Sequence, residues 1–116
     1  MTFEISTGDD GIMRLAIRGE LDAVSVSELR PELDGLVNKR PRRVEVDLAR
    51  LRMVDSSGVG ALVSLYKRVR AQGGEVVVVG LQDQPLAIFR LLRLDKVMTG
   101  GDGVPSPTRQ QGSSQN

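Results

Sequence analysis

The chain contains neither cysteine nor histidine, and these two absences exclude more chemistry than anything else in its composition. Without cysteine there are no disulfides, thiolate metal sites or thiol nucleophiles, which fits a reducing interior. Without histidine there is no self-contained Ser–His–Asp apparatus, no His-based zinc site and no phosphohistidine carrier. Charge of one sign is not in excess either. Sixteen basic and 15 acidic residues give no general reason to expect nucleic acid as a partner. No apolar run approaches the ~20 residues that span a bilayer, and the start, "MTFEISTGDD", is acidic and lacks a signal-peptide pattern. The expected address is the cytoplasm, with no membrane partner.

What is present is enough for one α/β domain. The 116 residues can bury a single core without metals or disulfides. "FEISTGDDGIMRLAIRGEL" reads as a hairpin, with Phe3 and Ile5, then Met13, Leu15 and Ile17, alternating with polar neighbours around a "GDDG" turn. From Ser25 the period becomes helical through Val26, Leu29, Leu33, Leu36 and Val37, and Ser25 with Glu28 fits a capping box. Pro31 lies beyond the first turn, where its ring and missing N–H are expected to kink the helix or move its start to Ser27.

"RRVEVDL" alternates as a strand, "ARLRMVDS" reads as a connection, and a second helix is expected from about Ser57 to Gln72. Gly73 and Gly74 end it, because glycine accepts the left-handed conformation freely. "EVVVVG" is apolar enough for a strand buried on both faces. Strand, helix and strand make a βαβ unit with a right-handed crossover. Pro85 suits the first position of a last helix, whose apolar residues exceed one stripe and leave some for a partner. A short strand is expected near Val97. Residues 99–116, rich in glycine, proline, serine and glutamine, read as a disordered tail.

The stretch "RMVDSSGVGAL" (Arg52–Leu62) is where function would sit. A serine at a helix start accepts a hydrogen bond from a free N–H, worth ~1 kcal/mol, but that role needs only one of Ser56 and Ser57. Gly58 and Gly60 each cost about 0.5–1 kcal/mol inside a helix, and together they make an uncrowded end that another chain could approach. A phosphate on Ser56 would be tolerated at a helix N-terminus, with Arg50 and Arg52 upstream to pair with it and Asp55 to oppose it. Asp22 in "GELD" is either a turn residue or a carboxylate carried to the same tip. Asp55 is a loop acid, a magnesium ligand or an aspartyl-phosphate acceptor. A receiver domain fits poorly, because Asp9 and Asp10 fall in a hairpin turn. Enzyme readings fare worse: there is no Gly-x-Ser-x-Gly, no Walker A lysine and no Gly-x-Gly-x-x-Gly opening a helix.

"GELD", "VEVDLARLRMVDSSGVGAL" and "AQGGEVVVVG", in that order, resemble the STAS domain, and within it the stand-alone bacterial anti-sigma factor antagonists. The resemblance covers about residues 3–98 and gives a STAS domain over residues 1–98. It implies a mixed sheet with helices largely on one face, and a partner switch rather than an enzyme. In that switch the unphosphorylated form binds an anti-sigma factor and so frees a sigma factor. The anti-sigma factor, commonly a serine kinase, ends binding by phosphorylating the serine after the motif's aspartate, and a PP2C-type phosphatase reverses this.

Carried onto this chain, the acceptor is Ser56, with Ser57 second. Asp22 and Asp55 flank it, and Ser57, Gly58, Val59 and Gly60 belong to the surface the partner covers. No metal or cofactor is expected on this chain, since ATP and magnesium belong to the kinase. Ser57 is then the expected helix cap and Ser56 the switch. Two other readings stay open: a non-phosphorylated STAS adaptor or regulatory subunit, and a module sensing a nucleotide or lipid near Asp22 and Asp55. Self-association also stays open. The chain departs from the family at Pro31 and at Arg93, where a small or glycine residue is expected.

Overall fold

The computed structural model describes residues 1–99; of the tail expected over residues 99–116, Thr99 closes the last helix and the rest lies outside the described residues. Five strands form one mixed sheet: β1 (Thr2–Thr7), β2 (Met13–Leu21), β3 (Arg43–Asp47), β4 (Leu51–Val54) and β5 (Glu75–Val79). Four helices accompany it: α1 (Ala23–Asn38), α2 (Ser56–Ala71), α3 (Asp83–Leu91) and α4 (Asp95–Thr99). Among them no helix is long and apolar enough to cross a membrane.

The strand order is β1-β2-β3-β5, with β4 paired to β2. β1 runs antiparallel to β2, closing the expected hairpin, and the remaining pairs are parallel. β2 serves two partners in succession. Met13 to Ala16 pair with β3, and Gly19 to Leu21 pair with β4 across a register shift at Gly19/Glu20. Gly19 adopts φ 91°, a conformation that costs glycine little, and this irregularity lets one strand change neighbours.

Alternation sets the two faces of the sheet. Met13, Leu15 and Ile17 of β2, Val44 and Val46 of β3, and Val76 and Val78 of β5 are buried in the core. The helices cover this side: α1 and α2 pack on each other, α2 and α4 against β5, and α3 against β4. The opposite face carries cross-strand ion pairs, Arg18–Glu4 at 3.6 Å, Arg14–Glu45 at 3.4 Å and Arg43–Glu75. These are partly exposed and contribute little stability individually.

Several expectations are corrected. α1 begins at Ala23, not Ser25, because Asp22 is the cap and Ser25 the third helical residue. Pro31 neither interrupts α1 nor delays its start to Ser27. It removes the N–H that would reach the Ser27 carbonyl, but Ser27 and Pro31 are both exposed, so that carbonyl lies on the water side and the buried stripe is unbroken. The connection "ARLRMVDS" contains β4, and α2 starts at Ser56, not Ser57. β5 is an edge strand buried on one face only, with Val77 and Val79 half-buried. Pro85 is the third residue of α3, where an N–H would still lack a helical partner. Val97 lies in α4, not in a strand.

Candidate functional site

The site is built where two parallel strands end side by side. Leu21 of β2 is in register with Val54 of β4, and the Asp55 N–H donates to the Leu21 carbonyl at 3.1 Å. Each strand is followed by an aspartate that opens a helix. The Asp22 carboxylate accepts from the Ser25 N–H at 3.0 Å, and the Ser25 hydroxyl accepts from the Asp22 N–H at 2.8 Å, a reciprocal capping box. The Asp55 carboxylate accepts from the Gly58 N–H at 3.0 Å. Asp22 and Asp55 are therefore brought together as the caps of α1 and α2. The Ser25 N–H, and after it the Ser25 hydroxyl, hold the Asp22 carboxyl below the usual aspartate range.

Asp55, not Ser57, is the cap of α2. Ser56 and Ser57 occupy the first two helical positions, and both are exposed. Among the described residues neither hydroxyl hydrogen-bonds to protein, whereas those of Ser25 and Ser27 bond to the Glu20 and Val24 carbonyls. Local architecture asks nothing of either side chain at Ser56 or Ser57.

The two glycines differ in kind. A Cβ on Gly58 would stand 2.5 Å from Val54 Cγ2 and 2.7 Å from the Leu21 carbonyl oxygen, so glycine is needed where the first turn of α2 meets both strand ends. A Cβ on Gly60 would meet nothing within 4 Å. Gly58 and Val59 are buried and face inward, which corrects the expectation that they form the open surface of the tip. The exposed part is Ser56, Ser57 and Gly60, and two apolar residues close in sequence to the caps are exposed as well, Met53 of β4 before Asp55 and Val24 of α1 after Asp22.

Beside Asp22 lies a shallow cleft of about 430 Å³ whose charged walls are Glu20, Asp22, Glu28 and Arg52. Asp55 does not line it. Arg52 turns to Glu20 at 3.8 Å. Among the described residues no three metal-binding side chains converge.

Sequence reasoning missed Gln84. From α3 its Oε1 accepts from the Val54 N–H at 2.9 Å, and its Nε2 donates to the Val54 carbonyl at 3.0 Å. It thereby fixes β4 two residues before Ser56. No local pattern marks it, because the contact spans thirty residues.

The family model for the STAS domain matches residues 5–110 of the chain. The Anti-sigma-B factor antagonist of Listeria monocytogenes is 26% identical over 98 residues, covering 84% of this chain and 86% of that protein. The Anti-sigma F factor antagonist of Paenibacillus polymyxa is 27% identical over 89 residues, 76% of each. Among solved structures, the anti-sigma factor antagonist SpoIIAA in its unphosphorylated form superposes with a TM-score of 0.72 at 20% identity, covering 81% of this chain and 83% of that one. An anti-sigma factor antagonist from Mycobacterium paratuberculosis gives 0.75 at 24% identity, over 84% and 81%. The fold is thus shared with these structures, and with the family model matching most of its length the chain belongs to the STAS domain family.

Proposed function

We propose that this chain is an anti-sigma factor antagonist working as a phosphorylation-controlled partner switch. Its unphosphorylated tip binds an anti-sigma factor, which releases a sigma factor. That anti-sigma factor, acting as a serine kinase with its own ATP and magnesium, phosphorylates Ser56 and ends the interaction. A PP2C-type phosphatase restores the binding form. The chain contributes no catalysis, and the exchange takes place in the cytoplasm.

The observation that carries this reading is the idle, exposed hydroxyl of Ser56 on the first turn of a helix that Asp55 already caps. Free N–H groups and the helix dipole make a phosphate there tolerable to the fold. To a partner the effect is large. About −1.5 to −2 of charge would be added beside the carboxylates of Asp22 and Asp55, so a surface that fits a neutral serine would meet a concentrated anion. Ser57, equally exposed and equally idle, is the second choice. Asp22, Asp55, Ser57 and Gly60 are the flanking contacts in this reading, with Gly58 and Val59 setting the shape from beneath.

A nucleotide-sensing module is disfavoured by the cleft beside Asp22, which offers three carboxylates and one arginine to a phosphate group. A constitutive adaptor would need no open serine. The decisive experiment is phosphorylation by the partner kinase with ATP and magnesium, followed by mass mapping. The modification is expected on Ser56, lost in Ser56→Ala and kept in Ser57→Ala. Binding without any phosphate transfer would leave the adaptor reading in its place.

A further inference from the structure

α2 is 16 residues long, so its far end lies about 24 Å from Ser56 at 1.5 Å per residue. At that end a shallow cleft of about 460 Å³ opens between the lead-in to β3, the end of α2 and the start of β5. Arg42, Arg43, Arg70 and Glu75 line it, with Gly73 and Gly74 in its wall. Three arginines and one glutamate thus share the lining, and Glu75 is engaged by Arg43.

The other two arginines have no acidic partner among the described residues. Arg42 meets the carbonyl oxygen of Asp10 at 3.5 Å. Arg70 donates to the Tyr66 hydroxyl at 3.1 Å and lies 5.5 Å from the centre of its ring, which leaves the rest of its fork free. Cations near a helix C-terminus complement the dipole, and this accounts for Arg70 in the last turn of α2. It does not account for Arg42 on the loop or Arg43 on the strand. Exposed Lys39 and Arg40 extend the charge along the same loop, and Arg40 sits at φ 51°, where glycine would be less strained.

We propose that this arginine cleft binds a small compound bearing two adjacent phosphate groups. Every cation lining the cleft is arginine, whose planar fork matches phosphate oxygens two at a time. Glu75 already engages Arg43, which leaves Arg42 and Arg70 open to anionic oxygens, and a diphosphate brings a set of such oxygens for each. The concave shape favours a compact anion over a flat lipid surface.

Inorganic pyrophosphate, titrated into the full chain at low salt and followed by calorimetry and by amide resonances, tests this. Saturable binding is expected, with resonance changes at Gly73 and Gly74 and none from Ser56 to Gly60. Arg42→Ala with Arg70→Ala should weaken it by about tenfold or more. Glu75→Gln, which releases Arg43, should tighten it severalfold, a gain that a misfolded variant cannot produce. Ser56→Glu should bind like the parent chain, which separates this site from the switch. No saturable binding at millimolar pyrophosphate, or unchanged affinity in the double arginine variant, overturns the proposal. So does binding to phosphatidylglycerol vesicles that pyrophosphate fails to displace, which would make the cleft part of a membrane surface.

Discussion

Gln84 holds Val54 through both ends of its side-chain amide, at 2.9 and 3.0 Å. In a parallel ladder one residue's N–H and C=O point to the same side, and here both point away from β2 and would be left as an open sheet edge. The amide of Gln84 takes the place of a further strand. Because Val54 is followed directly by Asp55 and Ser56, α3 steadies the site from outside the sheet.

Replacing Gln84 with leucine leaves both Val54 groups without a partner. A loss of about 1–3 kcal/mol is expected, measured by urea denaturation. Hydrogen exchange at the Val54 amide should accelerate more than that of the β2–β3 ladder.

Gly58 and Gly60 should respond in opposite directions to alanine. At Gly58 the new methyl meets the Leu21 carbonyl and Val54, so a cost of about 1–3 kcal/mol is expected from overpacking. At Gly60 the methyl meets nothing, and a gain of about 0.5–1 kcal/mol is expected from helix propensity. Thermal melts of the two variants check this. If the partner's backbone lies against Gly60, the more stable Gly60→Ala will also bind more weakly.

Asp22 makes the stability of the fold sensitive to acid. Its folded-state pKa is lowered, chiefly by the Ser25 N–H, from an ordinary value of 3.8. Such a carboxyl contributes stability that is fully present above its unfolded pKa and is lost as pH falls through the folded one. Asparagine keeps the capping oxygen but does not titrate. The advantage of the parent chain over Asp22→Asn should therefore be constant near neutrality and shrink below about pH 4, as read from melting temperatures across that range.

Arg93 sits at φ 60° just past α3, with its N–H on the Arg90 carbonyl at 3.0 Å and the Leu94 N–H on the Phe89 carbonyl at 2.8 Å. This is the left-handed helix stop that glycine favours. Among the described residues Arg93 forms no ion pair. Arg93→Gly should stabilise the chain by about 1 kcal/mol, visible as a raised urea midpoint.

The sequence was most legible where one physical signal acted alone. Alternation around "GDDG" marked the β1–β2 hairpin, and the period through Val59, Leu62, Val63 and Val69 marked α2. The Gly73 stop at φ 88° was read from residue type. It was least legible where signals competed. "LRMV" is four residues long with only Leu51 and Val54 buried, too short for alternation to declare a strand. Serine and aspartate are comparable caps, so Asp22 and Asp55, each one place ahead of where a helix was needed, displaced Ser25 and Ser57. "EVVVV" is apolar throughout because of β propensity, and composition did not reveal that its second face is only half-covered. The family motif pointed to Ser56 as the proposed acceptor, but Gln84 and the inward turn of Gly58 and Val59 depend on contacts between distant segments.

In the proposed switch, charge at Ser56 decides whether the partner stays bound. The most direct test is capture from an extract of the source cells on immobilised Ser56→Ala and Ser56→Glu chains, side by side. An anti-sigma factor of the serine-kinase kind should be held by the alanine chain and lost from the glutamate chain. Equal retention of one partner by both would contradict the switch and leave a constitutive adaptor.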